Sequence, residues 1–211
     1  MISVIIRNKN EGRFIGYAIQ SVIDNLDNYE IIVVDNNSTD SSIDIVKSFN
    51  FENIKIVKIN DYMPGRALNL GIEKAAGDII LILSAHSQII KMISEQEIRC
   101  HIKKHPCLFG NQIPVYRGKK ISKRYIWSHF NDNENVENMF SNIENRYFFH
   151  NAFSIFEKKL LVENKFDETL SGKEDRYWVK SVIEKGYKSL YIFNMKCIHH
   201  WTKNGNTWKG L

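Results

Sequence analysis

The sequence predicts an α/β fold, with a doubly wound parallel sheet in residues 1–90 and a smaller half with a mixed sheet in residues 91–211, together one domain. Three observations carry this. Residues 2–6, 29–34 and 79–83 are apolar runs with little polar alternation, as expected of strands buried on both faces. Between them lie stripes of apolar residues at helical spacing. The helical crossovers are long enough to return the chain to the same edge of a parallel sheet.

The elements follow in order. After the strand at 2–6, the segment 7–12 reads as a polar turn. Phe14, Ile15, Ala18, Ile19, Val22, Ile23 and Leu26 then mark one face of a helix. The strand at 29–34 ends in Asp35-Asn36-Asn37-Ser38-Thr39-Asp40, where Ser38 or Asp40 is suited to cap a helix through Ile43, Ile45, Val46 and Phe49. A third strand is expected at 54–59 and a helix at 65–76, stopped by Gly77-Asp78. The fourth strand breaks off at Ser84-Ala85-His86-Ser87. In open α/β sheets ligands lie outside the carboxyl ends of strands, so Asp35 and His86 should face one crevice. Taken alone, Asp35 is equally well a turn aspartate.

The second half is less regular. A helix is expected at 92–104, strands at 108–115 and 148–156, and a short helix at 157–163. Segment 118–127 is the most basic, a solvated loop or a contact for acceptor or anionic lipid. Segment 131–145, rich in Asn and Glu, reads as a mobile loop or lid. Glu174 and Asp175 open a helix carrying Trp178, Val179, Val182 and Ile183, where carboxylates also complement the helix dipole. An edge strand is expected at 190–193, then His199-His200-Trp201 and a flexible tail from 203.

Composition narrows the partners. Apolar residues make up 43% and charged residues 25%, ordinary for a globular protein, and the net charge of +5 points to an anionic partner. The balance is too mild for nucleic acid, and no zinc-finger spacing or basic stripe supports it. Glycine-rich dinucleotide and P-loop fingerprints are absent. Cys100, Cys107 and Cys197 form no framework and read as structural thiols of a reducing compartment. The short apolar start and the lack of a long apolar run predict a cytoplasmic protein without a signal peptide or membrane span.

Three blocks then carry a resemblance: V-I-I-R-N-K-N-E, E-I-I-V-V-D-N-N-S-T-D and G-R-A-L-N-L-G-I-E-K-A-A-G-D-I-I-L-I-L-S. In order and spacing they resemble the nucleotide-sugar half of family-2 glycosyltransferases with the GT-A fold, of the bacterial surface-polysaccharide type, whose first half is Rossmann-like. The resemblance implies that Asp35 holds the base or ribose and that Arg66 lies near the nucleotide. Arg7, Asn8, Glu11, Asn37, Ser84, Ala85 and His86 complete the donor-binding set it implies. Ser84-Ala85-His86 stands where the family normally carries D-x-D, the ligand of a divalent cation. A neutral imidazole still binds metal, and it favours Mn²⁺ over Mg²⁺. The alternative is a direct hydrogen bond from His86 to the diphosphate with no metal.

In the second half, F-D-E-T-L-S-G-K-E-D-R-Y-W resembles the acceptor-side motif of the same family. This implies Asp175 as the general base and Glu174 as the group that orients acceptor or base. A C-terminal histidine often completes the metal shell in this fold, and His200 is preferred over His199 for that role. The implied function is inverting transfer from a nucleotide-diphosphate sugar to a hydroxyl of a glycan or lipid-linked glycan, in capsule or lipopolysaccharide synthesis. Peripheral contact with the inner face of the cytoplasmic membrane would suit such an acceptor. Loss of both D-x-D carboxylates motivates a second reading, a non-catalytic nucleotide- or glycan-binding module. A nucleotidyltransferase ranks last, since 7–12 is not the glycine-rich basic loop such enzymes carry.

Overall fold

The computed structural model describes residues 1–121 and 127–203. The first half follows the expected alternation: β1 (Ile2–Asn8), α1 (Ile15–Asn25), β2 (Tyr29–Asp35), α2 (Ser42–Ser48), β3 (Ile54–Lys58), α3 (Pro64–Lys74) and β4 (Ile79–Ser84). Then come β5 (Ser87–Lys91), α4 (Glu95–Ile102), β6 (Cys107–Tyr116) and the two-residue β7 (Lys119–Lys120). The short strands β8 (Val136–Glu137), β9 (Phe140–Ser141) and β10 (Arg146–Tyr147) are followed by β11 (Phe153–Glu157), α5 (Lys158–Glu163), α6 (Glu174–Glu184) and β12 (Ser189–His200).

The main sheet runs β3-β2-β1-β4-β11-β6-β12-β5, with β7 beside β6 and β8 beside β12. Its β3-β2-β1-β4 part is wholly parallel, as the crossovers predict. Beyond β4 the sheet is mixed: β11 runs antiparallel to β4 and β6, β12 is parallel to β6, and β5 is antiparallel to β12. Alternate strand residues face opposite layers. Ile5, Ile32, Val34, Ile80, Ile82, Phe109 and Phe156 pack with Leu68 of α3, Leu161 of α5 and Trp178 of α6. Val4, Ile6, Val33, Leu81, Leu83, Leu108 and Ile155 pack with Ile19 of α1, Val46 of α2 and Ile98 of α4. Helices on both faces leave the carboxyl ends of β1, β2 and β4 as the open rim.

Several expectations are corrected. Arg7 and Asn8 belong to β1 rather than to a turn, because β1 pairs in register with Val34 and Asp35 to its end. Neither Ser38 nor Asp40 is the N-cap of α2. That position is Ser41, while Asp40 accepts the Ser42 N–H at 3.0 Å and the Gly12 N–H at 2.8 Å. α4 starts at Glu95, later than expected, because Ser94 and Glu97 form a reciprocal capping box. Segment 131–145 is not a plain loop: it carries β8 and β9 and leads into β10. The last strand is neither short nor at an edge. β12 lies between β6 and β5, with a register shift between Ile192 and Lys196 where the polar Asn194 interrupts the apolar run. Half of the expected basic segment, 118–127, is described; 122–126 lie outside the described residues, as does the tail from 204.

Candidate active site

Several of the residues expected to face the donor lie on the rim built by β1, β2 and β4. Asn8 is the register partner of Asp35, and both are buried. The Asn8 amide donates to Asp35 Oδ1 at 2.8 Å, and Ser38 donates to Asp35 through its hydroxyl at 2.6 Å and its N–H at 3.0 Å. Asp35 is therefore both a turn carboxylate and a residue at the strand end. Asn8 Oδ1 is buried and has no hydrogen-bond partner, a vacant acceptor at the mouth of the crevice. Asn37, with φ 49°, donates to the Ile59 carbonyl at 3.3 Å. Arg66, in the first turn of α3, pairs with Asp61 and with Glu168 at 3.3 Å. The Ser84 N–H bonds the Ala152 carbonyl at 3.0 Å, and Ala85 is buried.

His86 opens a line of polar side chains that sequence spacing does not reveal. Its Nε2 lies 3.0 Å from His199 Nε2, and its Nδ1 lies 3.5 Å from Glu11 Oε1. His199 Nδ1 is 2.8 Å from Gln112 Oε1, and Gln112 Nε2 is 3.1 Å from His150 Nδ1. Glu11 also accepts from Thr202 Oγ1 at 3.0 Å. Burial, together with its imidazole neighbours, holds His199 well below the ordinary histidine range, and burial pushes His150 down to about 3. His200 is the residue expected at the metal shell. Neighbouring strand side chains point to opposite faces, and it is His199 that meets His86. His200 stacks on Phe14 with centroids 4.8 Å apart, and its Nε2 is buried without a partner.

This line tests the cation that the resemblance implies. Gln112 Oε1 faces His199 Nδ1 and Glu11 Oε1 lies near His86 Nδ1, while the two Nε2 atoms share the 3.0 Å contact, in which one of them carries the proton. Among the described residues no three His, Cys, Asp or Glu side chains converge on one point. His86 and His199 are the two imidazoles that meet at this point.

The second corner is the start of α6. Lys173 enters it in the left-handed region, φ 65°, and Glu174 and Asp175 form the first turn. Glu174 is buried and takes Arg7 Nη1 at 2.7 Å. Arg7 was expected beside the donor, yet its guanidinium is committed here and to the Pro64 carbonyl at 3.3 Å. Asp175 Oδ2 accepts the Asn151 N–H at 3.3 Å. Burial raises the Asp175 carboxyl above its ordinary 3.8, opposed by that N–H and by Arg176 and Arg7. Glu144 bridges Arg146 at 2.5 Å and Arg176 at 3.3 Å. Sequence reading missed Glu144 and Arg146, which stand in a segment without periodicity, and took His150 only as part of a strand. A cavity of about 390 Å³ between α3 and α5 shares only Arg66 with the expected site residues.

A family model described as Glycosyl transferase family 2 matches residues 3–164. The chain is 27% identical over 208 residues to the dolichyl N-acetyl-alpha-D-glucosaminyl phosphate 3-beta-D-2,3-diacetamido-2,3-dideoxy-beta-D-glucuronosyltransferase of Methanococcus voltae, covering 89% of this chain and 63% of that protein. It is 26% identical over 192 residues to the GalNAc(5)-diNAcBac-PP-undecaprenol beta-1,3-glucosyltransferase of Campylobacter jejuni, covering 88% of this chain and 61% of that one. It therefore spans about three-fifths of the length of these curated relatives. Among solved structures, residues 1–349 of S. aureus TarS in complex with UDP-GlcNAc match with a TM-score of 0.74 at 21% identity, over 100% of this chain and 61% of that chain. The Pyrobaculum calidifontis mannosyltransferase PcManGT, in complex with GDP-Man and Mn²⁺, matches with a TM-score of 0.67 at 16% identity, over 97% and 58%. At such identities the likeness shows the fold, the GT-A arrangement. With the family model covering most of its length, the chain belongs to glycosyl transferase family 2.

Proposed function

We propose that this domain transfers a sugar from a nucleotide-diphosphate sugar to a hydroxyl of a glycan or lipid-linked glycan, with inversion at the anomeric carbon. The observation that carries the reading is Asp175, a carboxylate at the start of α6 whose partly buried setting raises its proton affinity. A base of this kind suits a hydroxyl that loses its proton only as the new bond forms. The acceptor oxygen attacks the anomeric carbon while the bond to the diphosphate oxygen breaks, and the hydroxyl proton passes to Asp175. Attack from the face opposite the leaving group inverts the configuration. Asp35, Asn8 and Asn37 supply polar groups at the nucleotide end, and Arg66 supplies positive charge near it.

His86 and His199 are the side chains suited to hold a divalent cation, Mn²⁺ rather than Mg²⁺, because an imidazole pair favours the softer ion. Such an ion would offset charge developing on the diphosphate. The mannosyltransferase neighbour was solved with Mn²⁺, and both curated relatives are named for lipid-linked substrates, which supports a donor–cation pair and a lipid-linked acceptor. The setting we assign is synthesis of a surface polysaccharide such as capsule or lipopolysaccharide, at the cytoplasmic face of the membrane.

Calorimetric titration with UDP, GDP and CMP, each with Mn²⁺ and with EDTA, tests the reading. One diphosphate should bind, more weakly in EDTA, and His86→Ala or His199→Ala should remove the Mn²⁺ effect. Binding indifferent to EDTA would remove the metal and keep the transferase. Failure of all three nucleotides to bind would sink the transferase.

A further inference from the structure

Arg7 and Glu174 lie 167 positions apart and meet through a 2.7 Å ion pair. The same Arg7 nitrogen, Nη1, reaches the Pro64 carbonyl at 3.3 Å. One guanidinium thus touches the first turn of α3 in the donor half and the first turn of α6. Its own backbone is fixed on both sides, by pairing with Val34 and with Ser84. Glu174 is 6% exposed, and Arg7 is its only ion-pair partner among the described residues. Among those residues Arg7 is thus the one positive charge set against this buried carboxylate.

Glu174 and Asp175 are the first two residues of α6. They share one backbone turn, so a shift of that turn moves both side chains. Lys173, just before them, has no capping side-chain bond. Beside the core packing of Trp178 and Val179, the contacts of this turn's two carboxylates beyond α6 are those with Arg7 and with the Asn151 N–H.

We infer that Arg7 is a positioning residue for the base: through Glu174 it ties the first turn of α6 to the donor half, so that Asp175 stands at a fixed place beside the β1 and β4 ends. This rests on Asp175 being the base.

The test uses the full chain with Arg7→Lys, Arg7→Met, Arg7→Met/Glu174→Gln and Asp175→Asn. UDP and GDP serve as binding probes, and UDP-GlcNAc and GDP-mannose as turnover probes read by released nucleotide. Arg7→Met should lose about 100-fold in kcat, while nucleotide Kd and donor KM stay within about twofold. Arg7→Lys keeps one charged nitrogen and should recover most of that loss. If Arg7→Met alone fails to fold because Glu174 is left unpaired, the double variant removes both charges and should fold with the same low kcat.

A double variant with full kcat would overturn the proposal. So would an Arg7→Met loss confined to Kd and KM, which is the signature of a donor ligand. Asp175→Asn separates the two levels. If it keeps its kcat, the base assignment itself fails. If it is inactive while Arg7→Met turns over normally, only the positioning role fails.

Discussion

Asp175, the base we propose, sets two expectations through its surroundings. Asp175→Asn should lower kcat by about 1000-fold, with donor KM little changed, in a steady-state assay of nucleotide release. The same substitution should stabilise the fold at neutral pH. Burial lifts the folded-state carboxyl above its unfolded value of 3.8. The folded state then binds this proton more tightly than the unfolded one, so stability falls as pH rises through that window. Removing the charge should therefore raise Tm at neutral pH, and the advantage should shrink as both proteins are acidified below the folded pKa. Scanning calorimetry across pH reads this directly, and an advantage that grew on acidification would contradict the assigned cause. At this scale the motif around Glu174 and Asp175 was legible, because local order places both at a helix start. The partners were not: Arg7, Glu144 and Arg146 reach the corner through tertiary folding, which leaves no spacing to read.

Among the elements, α3 and the chain before α6 are held at unusually close quarters. A Cβ on Gly65 would stand 2.2 Å from the Asp167 carbonyl oxygen and 3.2 Å from Phe166 Cβ. Asn69 of the same helix bonds the Phe166 carbonyl at 2.9 Å and Glu168 at 2.8 Å. Gly65→Ala should push these segments apart and cost about 1–3 kcal/mol, seen as a lower urea midpoint with an unchanged slope. The first four strands and three helices were legible because continuous apolar runs and helical stripes mark them without tertiary help. β5 was missed because its five residues follow β4 after a two-residue break and alternate only weakly. β12 was read as a short edge strand because Asn194 and Lys196 interrupt it. Their polarity is accommodated by a bulge, with Lys91 donating to Asn194 at 3.0 Å and Lys196 pairing with Asp132 at 2.7 Å.

For the molecule as a whole, a net charge of +5 gives a testable membrane expectation. No helix among the described residues is long and apolar enough to cross a membrane, so any association with lipid by these elements would be peripheral. Binding to phosphatidylglycerol vesicles in a flotation assay should exceed binding to phosphatidylcholine vesicles and fade at high salt. Equal partition to both would remove charge as the attraction.

The place of β12 in the sheet has a consequence for how the chain is made. Its pairing residues with β5 stand more than a hundred positions beyond β5, as Ile198 against Gln88 shows. On the ribosome, β6 emerges with one edge bare and β5 with no strand beside it, and both wait until the codons near 200 have been read. The imidazole pair of His86 and His199 is therefore assembled only after nearly all of the described chain has been synthesised. A nascent chain stalled before β12 would expose unpaired backbone on both sides of the gap, the condition under which edge strands recruit other chains. Translation speed and chaperone supply over this last stretch should thus govern the yield of active protein more than the parallel half does.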